Sequence, residues 1–241
     1  MGVLRYLEEN DYIITEIAGT SMGALIGSLI AMGLTSDQIY AKAQTLTSSD
    51  ILDINRKSIT IGGASIIEQM DKVIGNKNIE DFPIPFKAIA TDLDSGTEVV
   101  FTGGPVLDAV RYSISVPGVF SLPDQHKPIV DGGIINNLPI DHVSGKHIIA
   151  SSCRGYGGFE IQKEKKKILG VTLPTNALAQ KSDILMRSLV VMMRRIEDYQ
   201  VQSHPQTKLI RPYLGDISAY DIKVLDQAIQ RGYDEAKKIL G

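Results

Sequence analysis

One pentapeptide, set between an apolar strand and an apolar helix, constrains the fold of this chain more than any other feature. It reads Gly19-Thr20-Ser21-Met22-Gly23, and it separates the apolar stretches 13–18 and 24–32. A G-x-S-x-G turn from strand to helix holds its serine in a strained backbone conformation, with the hydroxyl exposed above the edge of the sheet. The pattern therefore makes Ser21 the candidate nucleophile.

The same turn offers a candidate site for a developing negative charge. The backbone N–H of Met22 lies at the start of the helix, where N–H groups point toward a bound anion. Gly19 and Gly23 allow the tight approach of strand and helix that such an elbow needs. The alternative is an ordinary Gly-rich turn of a doubly wound domain, because chance alone often produces the pentapeptide. Only its strand–turn–helix setting favours the catalytic interpretation.

Composition narrows the class of protein without naming a function. The 241 residues are 43% hydrophobic and 22% charged with a formal charge of −3, which predicts one globular domain over 1–241 and no nucleic-acid partner. The single cysteine, Cys153, cannot form an internal disulfide. Since no basic leader or long apolar run is visible, we expect neither a secretion signal nor a membrane span, and a cytoplasmic location.

The order of apolar patterns predicts alternating strands and helices. A hairpin is expected at 86–101, and a long helix over 183–202 is expected to bury one face. Residues at helical spacing on that face are Leu185, Leu189, Met192, Ile196 and Tyr199. The alternation favours an α/β fold, a three-layer α/β/α sandwich with a mostly parallel central sheet that the hairpin makes mixed.

A serine hydroxyl needs a base to accept its proton. Each of the four histidines (His126, His142, His147 and His204) reads more readily as a surface or structural residue than as that base. Asp131 is better placed, because it ends an apolar strand and is followed by Gly132 and Gly133, which would let the carboxylate approach another loop. Two alternatives stay open: a triad of Ser21, Asp131 and His204, and an ordinary aspartate in a turn.

Four motifs in a fixed order resemble the bacterial patatin-like phospholipases over residues 2 to about 153. They are the pentapeptide at 19–23, Ala90-Thr91-Asp92-Leu93 followed by Ser95-Gly96, the stretch Ser113-Ile114-Ser115-Val116-Pro117-Gly118-Val119-Phe120, and Asp131-Gly132-Gly133. The resemblance implies a patatin-like fold and a lipid acyl hydrolase with a Ser–Asp dyad, which needs no metal and no cofactor. Ser21 would attack an ester carbonyl, and Asp131 would accept and return the proton.

The front of the chain departs from this resemblance. Members of that family typically begin with a strand and a Gly-rich, Arg-containing loop that supplies oxyanion donors, before a helix that resembles residues 2–9. Three alternatives follow: the sequence is truncated, another chain supplies the strand, or the protein folds in this form with weak activity. The second functional hypothesis is accordingly a weak or inactive relative that binds lipid or a partner protein. Peripheral membrane contact and a homodimer are left open.

Overall fold

The structure, a computed structural model, describes residues 1–45, 64–117, 120, 122–123, 126–153, 167–168, 171–172, 177–214 and 224–241. The helices are α1 (Gly2–Glu9), α2 (Met22–Ala31), α3 (Ser36–Thr45), α4 (Ala64–Ile74), α5 (Val106–Ser113), α6 (Ala177–Ser203) and α7 (Leu225–Leu240). The strands are β1 (Ile17–Thr20), β2 (Phe86–Asp92), β3 (Thr97–Phe101), β4 (Ile129–Asp131), β5 (Ile149–Ser151), β6 (Lys167–Ile168), β7 (Val171–Thr172) and β8 (Lys208–Ile210). Short 3₁₀ turns span Ile79–Asp81, Gly132–Ile134 and Ile140–His142.

Strand β2 is the centre of the largest sheet in the described part of the chain. It pairs in parallel with β1 and antiparallel with both β3 and β4. Ala88 pairs with both β1 and β3, and Ala90 pairs with both β3 and β4, so β3 occupies one edge of β2 while β1 and β4 share the other. The α/β class is confirmed. The four-stranded sheet is mixed, because the predicted hairpin at 86–101 and β4 both run against β2.

Helix α2 packs on the sheet through its small and apolar residues. A Cβ atom placed on Gly27 would lie 3.0 Å from Ile17 Cγ2 and 3.3 Å from a Phe86 ring carbon, so the helix approaches β1 and β2 closely. Buried residues of α2, α4 and α5 form one core with Phe86 and Ala88 of β2. Since this burial removes several large apolar side chains from water, it fixes the strand–helix junction after β1.

The helices at the two ends of the chain pack against each other. Tyr6 of α1 and Tyr233 of α7 make an edge-to-face ring contact with centroids 5.6 Å apart. Both tyrosines belong to a small cluster with buried Ile210 of β8. None of the helices within the described ranges combines the length and apolar character needed to cross a bilayer.

Two local predictions are wrong. The first strand begins at Ile17, not at residue 13, and Ile13 is 87% exposed. Strand pairing with β2 starts at Ile17, so no strand in the described part of the chain lies beside the apolar residue Ile13. Among the α6 residues whose side chains the structure describes, Met193 and Glu197 are buried, whereas Met192 and Tyr199 are each 60% exposed. The side chain of Leu185 lies outside the described residues. The apolar pattern pointed to the wrong face because the face that packs inward carries a charged residue.

Glu16, the residue before β1, forms hydrogen bonds with Lys87 of β2 and with Ser144. Its carboxylate accepts hydrogen bonds from Lys87 Nζ at 2.7 Å and from the backbone N–H of Ser144 at 2.8 Å. The Lys87 bond, followed by the Ser144 bond, lowers the pKa of Glu16 below its ordinary value of 4.5. A carboxyl group whose pKa is lower in the folded than in the unfolded protein stabilises the folded state at pH values above the unfolded pKa. This contribution is lost as the pH falls through the folded pKa.

We expect Glu16→Gln to lower the free energy of unfolding by about 1 to 2 kcal/mol at pH 7, since it removes a partly buried charged acceptor. The difference from wild type should shrink as the pH falls below 4.5 toward the lower folded pKa. Urea unfolding at a series of pH values measures both effects. The control is Glu68→Gln, which removes an exposed ion pair with Lys72. We expect it to change the free energy of unfolding by less than about 0.5 kcal/mol. A pH-independent difference for Glu16→Gln would contradict the assignment.

Candidate active site

Ser21 has the strained backbone conformation that its pentapeptide predicts. Its φ is 57° and its ψ is −123°, directly between the end of β1 at Thr20 and the start of α2 at Met22. Among the described non-glycine residues, only Asp11 shares a positive φ. Such a conformation costs of order 1–3 kcal/mol and persists only where the surrounding structure enforces it. Contacts from the surrounding structure must therefore stabilise the backbone of Ser21 in this conformation.

Hydrogen bonds hold Ser21 on both of its backbone groups. Its N–H donates to Ser113 Oγ at 2.8 Å, and its carbonyl accepts from Ala24 and Leu25 of α2 at 2.9 and 3.1 Å. Ser113 Oγ in turn donates to the carbonyl of Ile89 in β2 at 2.6 Å. The elbow is thus attached to the helix that follows it and, through one buried hydroxyl, to the central strand.

The two glycines of the pentapeptide have different surroundings. A Cβ atom on Gly19 would lie 2.3 Å from the carbonyl oxygen of Gly23, whereas a Cβ on Gly23 would meet no atom within 4 Å. Met22 is 56% exposed. The N–H groups of Met22 and Gly23 belong to the first turn of α2, where no intrahelical acceptor exists.

Asp131 ends β4 with its side chain 1% exposed. Its Oδ1 accepts the N–H of Gly133 at 2.7 Å, and its own N–H donates to the carbonyl of Ser115 at 3.0 Å. A Cβ on the next residue, Gly132, would lie 2.4 Å from the carbonyl oxygen of Ile89 and 3.0 Å from Thr20 Cγ2. Only glycine allows the aspartate loop to lie this close to the end of β1.

The ends of β1 and β4 meet along one edge of β2. Thr20, the residue before Ser21, pairs with Ile89, and Asp131 pairs with the next residue, Ala90. The two strands run toward each other, since β1 is parallel and β4 antiparallel to β2. A second link joins them, because Thr20 Oγ1 donates to the carbonyl of Asn136 at 2.7 Å. The structure therefore brings the two predicted segments together at one point of the sheet.

A buried charged group lies behind the aspartate loop. Glu197 of α6 is fully buried and accepts hydrogen bonds from Ser152 Oγ at 2.8 Å, from Arg211 at 2.9 Å and from the side chain of Asn137. Asn137 Oδ1 would lie 2.8 Å from a Cβ on Gly133. Sequence reasoning missed this group, because a glutamate on an amphipathic helix ordinarily indicates the solvent face.

Two of the histidines make specific contacts elsewhere. His142 Nε2 lies 2.5 Å from Glu98 Oε2, and His204 Nδ1 donates to the carbonyl of Gln200 in α6 at 2.9 Å. His126 and His147 are exposed. Because His204 directly follows the last residue of α6, its bond to Gln200 caps the end of that helix.

One cluster in the described residues has side chains suited to a divalent cation. Ligand atoms of Glu98, Asp141 and His142 lie within 4.8 Å of one another. Glu98 belongs to β3, on the opposite edge of β2 from β1 and β4. Two hydrogen bonds link side chains of this cluster, one between His142 Nε2 and Glu98 Oε2 and one from Asn136 Nδ2 to Asp141 Oδ1 at 2.8 Å.

The fold and the elbow define an α/β sandwich protein with a strained serine at a strand–helix turn. A family profile described as patatin-like phospholipase matches residues 1–144. The chain belongs to this family. Glu197, which binds Asn137 after the aspartate loop, and its partners Ser152 and Arg211 lie beyond the matched region.

The relatives match this chain over different lengths. An uncharacterized NTE family protein of Mycobacterium tuberculosis (strain ATCC 25618 / H37Rv) is 37% identical over 150 residues, which cover 60% of this chain and 41% of that protein. Patatin-like phospholipase domain-containing protein 6 of Mus musculus is 26% identical over 266 residues, covering 100% of this chain and 19% of that protein. This chain therefore spans less than half the length of these curated relatives.

A solved structure supports the fold. The crystal structure of VipD from Legionella pneumophila aligns with 99% of this chain and 63% of that chain, with a TM-score of 0.58 and 12% sequence identity. At this identity the similarity concerns the fold alone. It confirms the predicted α/β sandwich, while the roles of individual side chains rest on the local geometry.

The surroundings of the two elbow glycines predict opposite effects for the same substitution. Gly19→Ala should unfold or strongly destabilise the protein, because its Cβ would lie 2.3 Å from a backbone oxygen. Gly23→Ala should be neutral or stabilising by up to about 1 kcal/mol, since alanine favours a helix and its Cβ meets open space. Thermal unfolding followed by circular dichroism compares them. Equal melting temperatures for the two variants would contradict the elbow packing.

The burial of Glu197 predicts that loss of its charge destabilises the protein strongly. Glu197→Gln breaks a fully buried ion pair with Arg211, so we expect a loss of about 3 kcal/mol in the free energy of unfolding, at the low end of the usual range because Arg211 keeps Asp198 at 3.0 Å as a charged partner. Urea unfolding measures it. The control is Glu235→Gln, which removes an exposed pair with Lys238 and should cost under about 0.5 kcal/mol. Similar costs for both variants would show that the buried pair contributes little.

Proposed function

We propose that the protein is a serine acyl hydrolase that cleaves lipid or fatty-acyl esters through a dyad of Ser21 and Asp131. The observation that carries the proposal is the meeting of β1 and β4, whose ends pair with the consecutive residues Ile89 and Ala90. Ser21 follows the end of β1 in a strained backbone conformation, and Asp131 is the last residue of β4. Membership of the patatin-like phospholipase family supports the reaction class.

The proposed reaction needs one nucleophile and one base. Ser21 Oγ attacks the ester carbonyl carbon while its proton passes to the Asp131 carboxylate. The tetrahedral intermediate collapses, the carbon–oxygen bond to the alcohol breaks, and Asp131 returns the proton to the leaving alcohol. Water then attacks the acyl-enzyme, gives a proton to Asp131, and releases the fatty acid when Ser21 recovers that proton.

The first turn of α2 supplies the proposed stabilisation of the oxyanion. The N–H groups of Met22 and Gly23 point out of the helix start, where partial positive charge from the helix adds to their hydrogen bonding. Gly132 and Gly133 support the dyad from the other side, Gly133 by donating its N–H to Asp131. That bond fixes one carboxylate oxygen, and we assign the proton transfer to the other.

The substrate class follows from the family and from the surface beside the elbow. The side chain of Met22, next to the nucleophile, is 56% exposed and apolar, and Gly23 leaves open space beside it. Both features suit an acyl chain better than a charged group. Peripheral contact with membrane lipid, a homodimer and a cytoplasmic location stay predictions from the sequence.

Hydrolysis of a short p-nitrophenyl ester tests the dyad. Ser21→Ala should abolish turnover above background, and Asp131→Asn should lower kcat about 10²- to 10⁴-fold, the range for loss of a general base. The amide side chain of the Asp131→Asn variant keeps an oxygen that can accept the Gly133 N–H, so the loop should stay folded. Matched controls are Ser28→Ala, in the buried part of α2, and Asp108→Asn, on the exposed face of α5; both should retain turnover.

Labelling with a fluorophosphonate, followed by peptide mass spectrometry, separates the two functional hypotheses. An active hydrolase should be labelled at Ser21 in the wild type. A folded wild type that is neither labelled nor able to hydrolyse the ester would instead support a binding protein. Loss of turnover in His204→Ala with full turnover in Asp131→Asn would replace the dyad by the histidine triad.

A further inference from the structure

The last turn of α5 lies between the two halves of the candidate site. Ser113 and Ser115, both fully buried, stand at the end of this helix and just after it. Ser113 contacts the nucleophile segment and Ser115 contacts the aspartate segment. One short stretch of chain therefore touches both candidate catalytic residues, although neither serine has access to solvent or to a substrate.

Ser113 contacts the nucleophile through its side chain. Its Oγ accepts the backbone N–H of Ser21 at 2.8 Å and donates its own proton to the carbonyl of Ile89 at 2.6 Å. Since the hydroxyl proton is engaged by Ile89, a lone pair is aimed at Ser21. The N–H that it accepts belongs to the residue with φ 57° and ψ −123°, so the bond acts on the strained unit itself.

Ser115 contacts the aspartate through its main chain. Its carbonyl accepts the N–H of Asp131 at 3.0 Å. Its hydroxyl donates to the carbonyl of Arg111 at 2.7 Å and lies 3.1 Å from an Arg111 guanidinium nitrogen, which fixes the turn against the last residues of α5. The distance between the two attachment points is therefore set within three residues of chain.

We propose that Ser113 is a positioning residue that holds the Ser21 elbow in its reactive conformation, and that the segment 113–115 fixes the spacing of the Ser21–Asp131 dyad. This inference rests on the proposed function. Ser113 acts through the Ser21 backbone and does not touch the substrate. Without the Ser113 hydroxyl, the partly buried N–H of Ser21 loses its acceptor, and the strained conformation loses one of the contacts that oppose its relaxation.

The test compares the same substitutions at two buried serines. Ser28 is fully buried in α2, and its Oγ donates to the carbonyl of Leu25 at 2.8 Å without contacting the elbow. The variants are Ser113→Ala, Ser113→Cys, Ser28→Ala and Ser28→Cys, all in the full chain. The cysteine variants leave no cavity, since sulfur is somewhat larger than oxygen, and they replace a strong acceptor by a weak one, so they decide the question if an alanine variant does not fold.

Two readouts are taken on each folded variant. The first is kcat and KM for the p-nitrophenyl ester, with the rate of Ser21 labelling by the fluorophosphonate. The second is hydrogen exchange of the Ser21 amide, resolved by NMR, which needs no activity. We expect the Ser113 variants to lower kcat and the labelling rate about 10- to 100-fold with KM unchanged, as for a small misplacement of a reacting group. They should also speed exchange at Ser21, while the Ser28 variants change neither.

The outcomes distinguish the inference from the function on which it rests. If wild type is active but the Ser113 variants match the Ser28 variants in kcat and in Ser21 exchange, the positioning role is overturned and the dyad stands. If wild type is inactive and only the Ser113 variants expose the Ser21 amide, the backbone role of Ser113 holds and the hydrolase assignment fails. Equal melting temperatures with unequal kcat values at the two sites would support positioning over general stability.

Discussion

The site depends on the arrangement of two strands that meet along one edge of β2. Strand β1 arrives in parallel and stops beside Ile89, and β4 arrives antiparallel and stops beside Ala90. Backbone hydrogen bonds of a sheet fix such positions firmly, because a shift of register would turn every side chain of the strand to the other face. The proposed nucleophile and base are therefore placed by main-chain pairing, before any side chain contributes.

The strained backbone of Ser21 and the Asp131 loop are held by contacts from several elements of the fold. The elbow needs Gly19 for close packing, α2 for the carbonyl of Ser21, and Ser113 for its N–H. The aspartate loop needs Gly132 for its approach to β1, and α6 packs behind it, where the methyl carbon of Met193 would lie 3.1 Å from a Cβ on Gly133. Residues beyond the family match thus contribute to the rigidity of a site whose motifs all lie before residue 144.

Local signals in the sequence predicted the parts of the fold that depend on neighbours in the chain. The elbow at 19–23 and the hairpin at 86–101 are both present. Each arises from steric or hydrogen-bonding preferences within a few residues. For the same reason, the sequence predicted that Ser21 and Asp131 lie at strand ends.

The sequence did not predict which strands pair with each other. Side chains alternate with the same period in a parallel and an antiparallel strand, so nothing at 127–130 indicated that β4 would pair with the same edge of β2 as β1. The bond from Ser113 to Ser21 joins residues 92 positions apart. Glu197 was hidden for a physical reason: a charged side chain is buried only with a partner, and its partner Arg211 comes from a separate strand end.

A crystal structure of the protein with a covalently bound fluorophosphonate would show whether Ser21 and Asp131 act together. We expect phosphorus bonded to Ser21 Oγ, a carboxylate oxygen of Asp131 within about 3.2 Å of that oxygen or of the leaving-group side of the adduct, and the phosphonyl oxygen facing the N–H groups of Met22 and Gly23. A probe attached to another residue, or an Asp131 carboxylate more than about 5 Å away and turned from the adduct, would contradict this expectation.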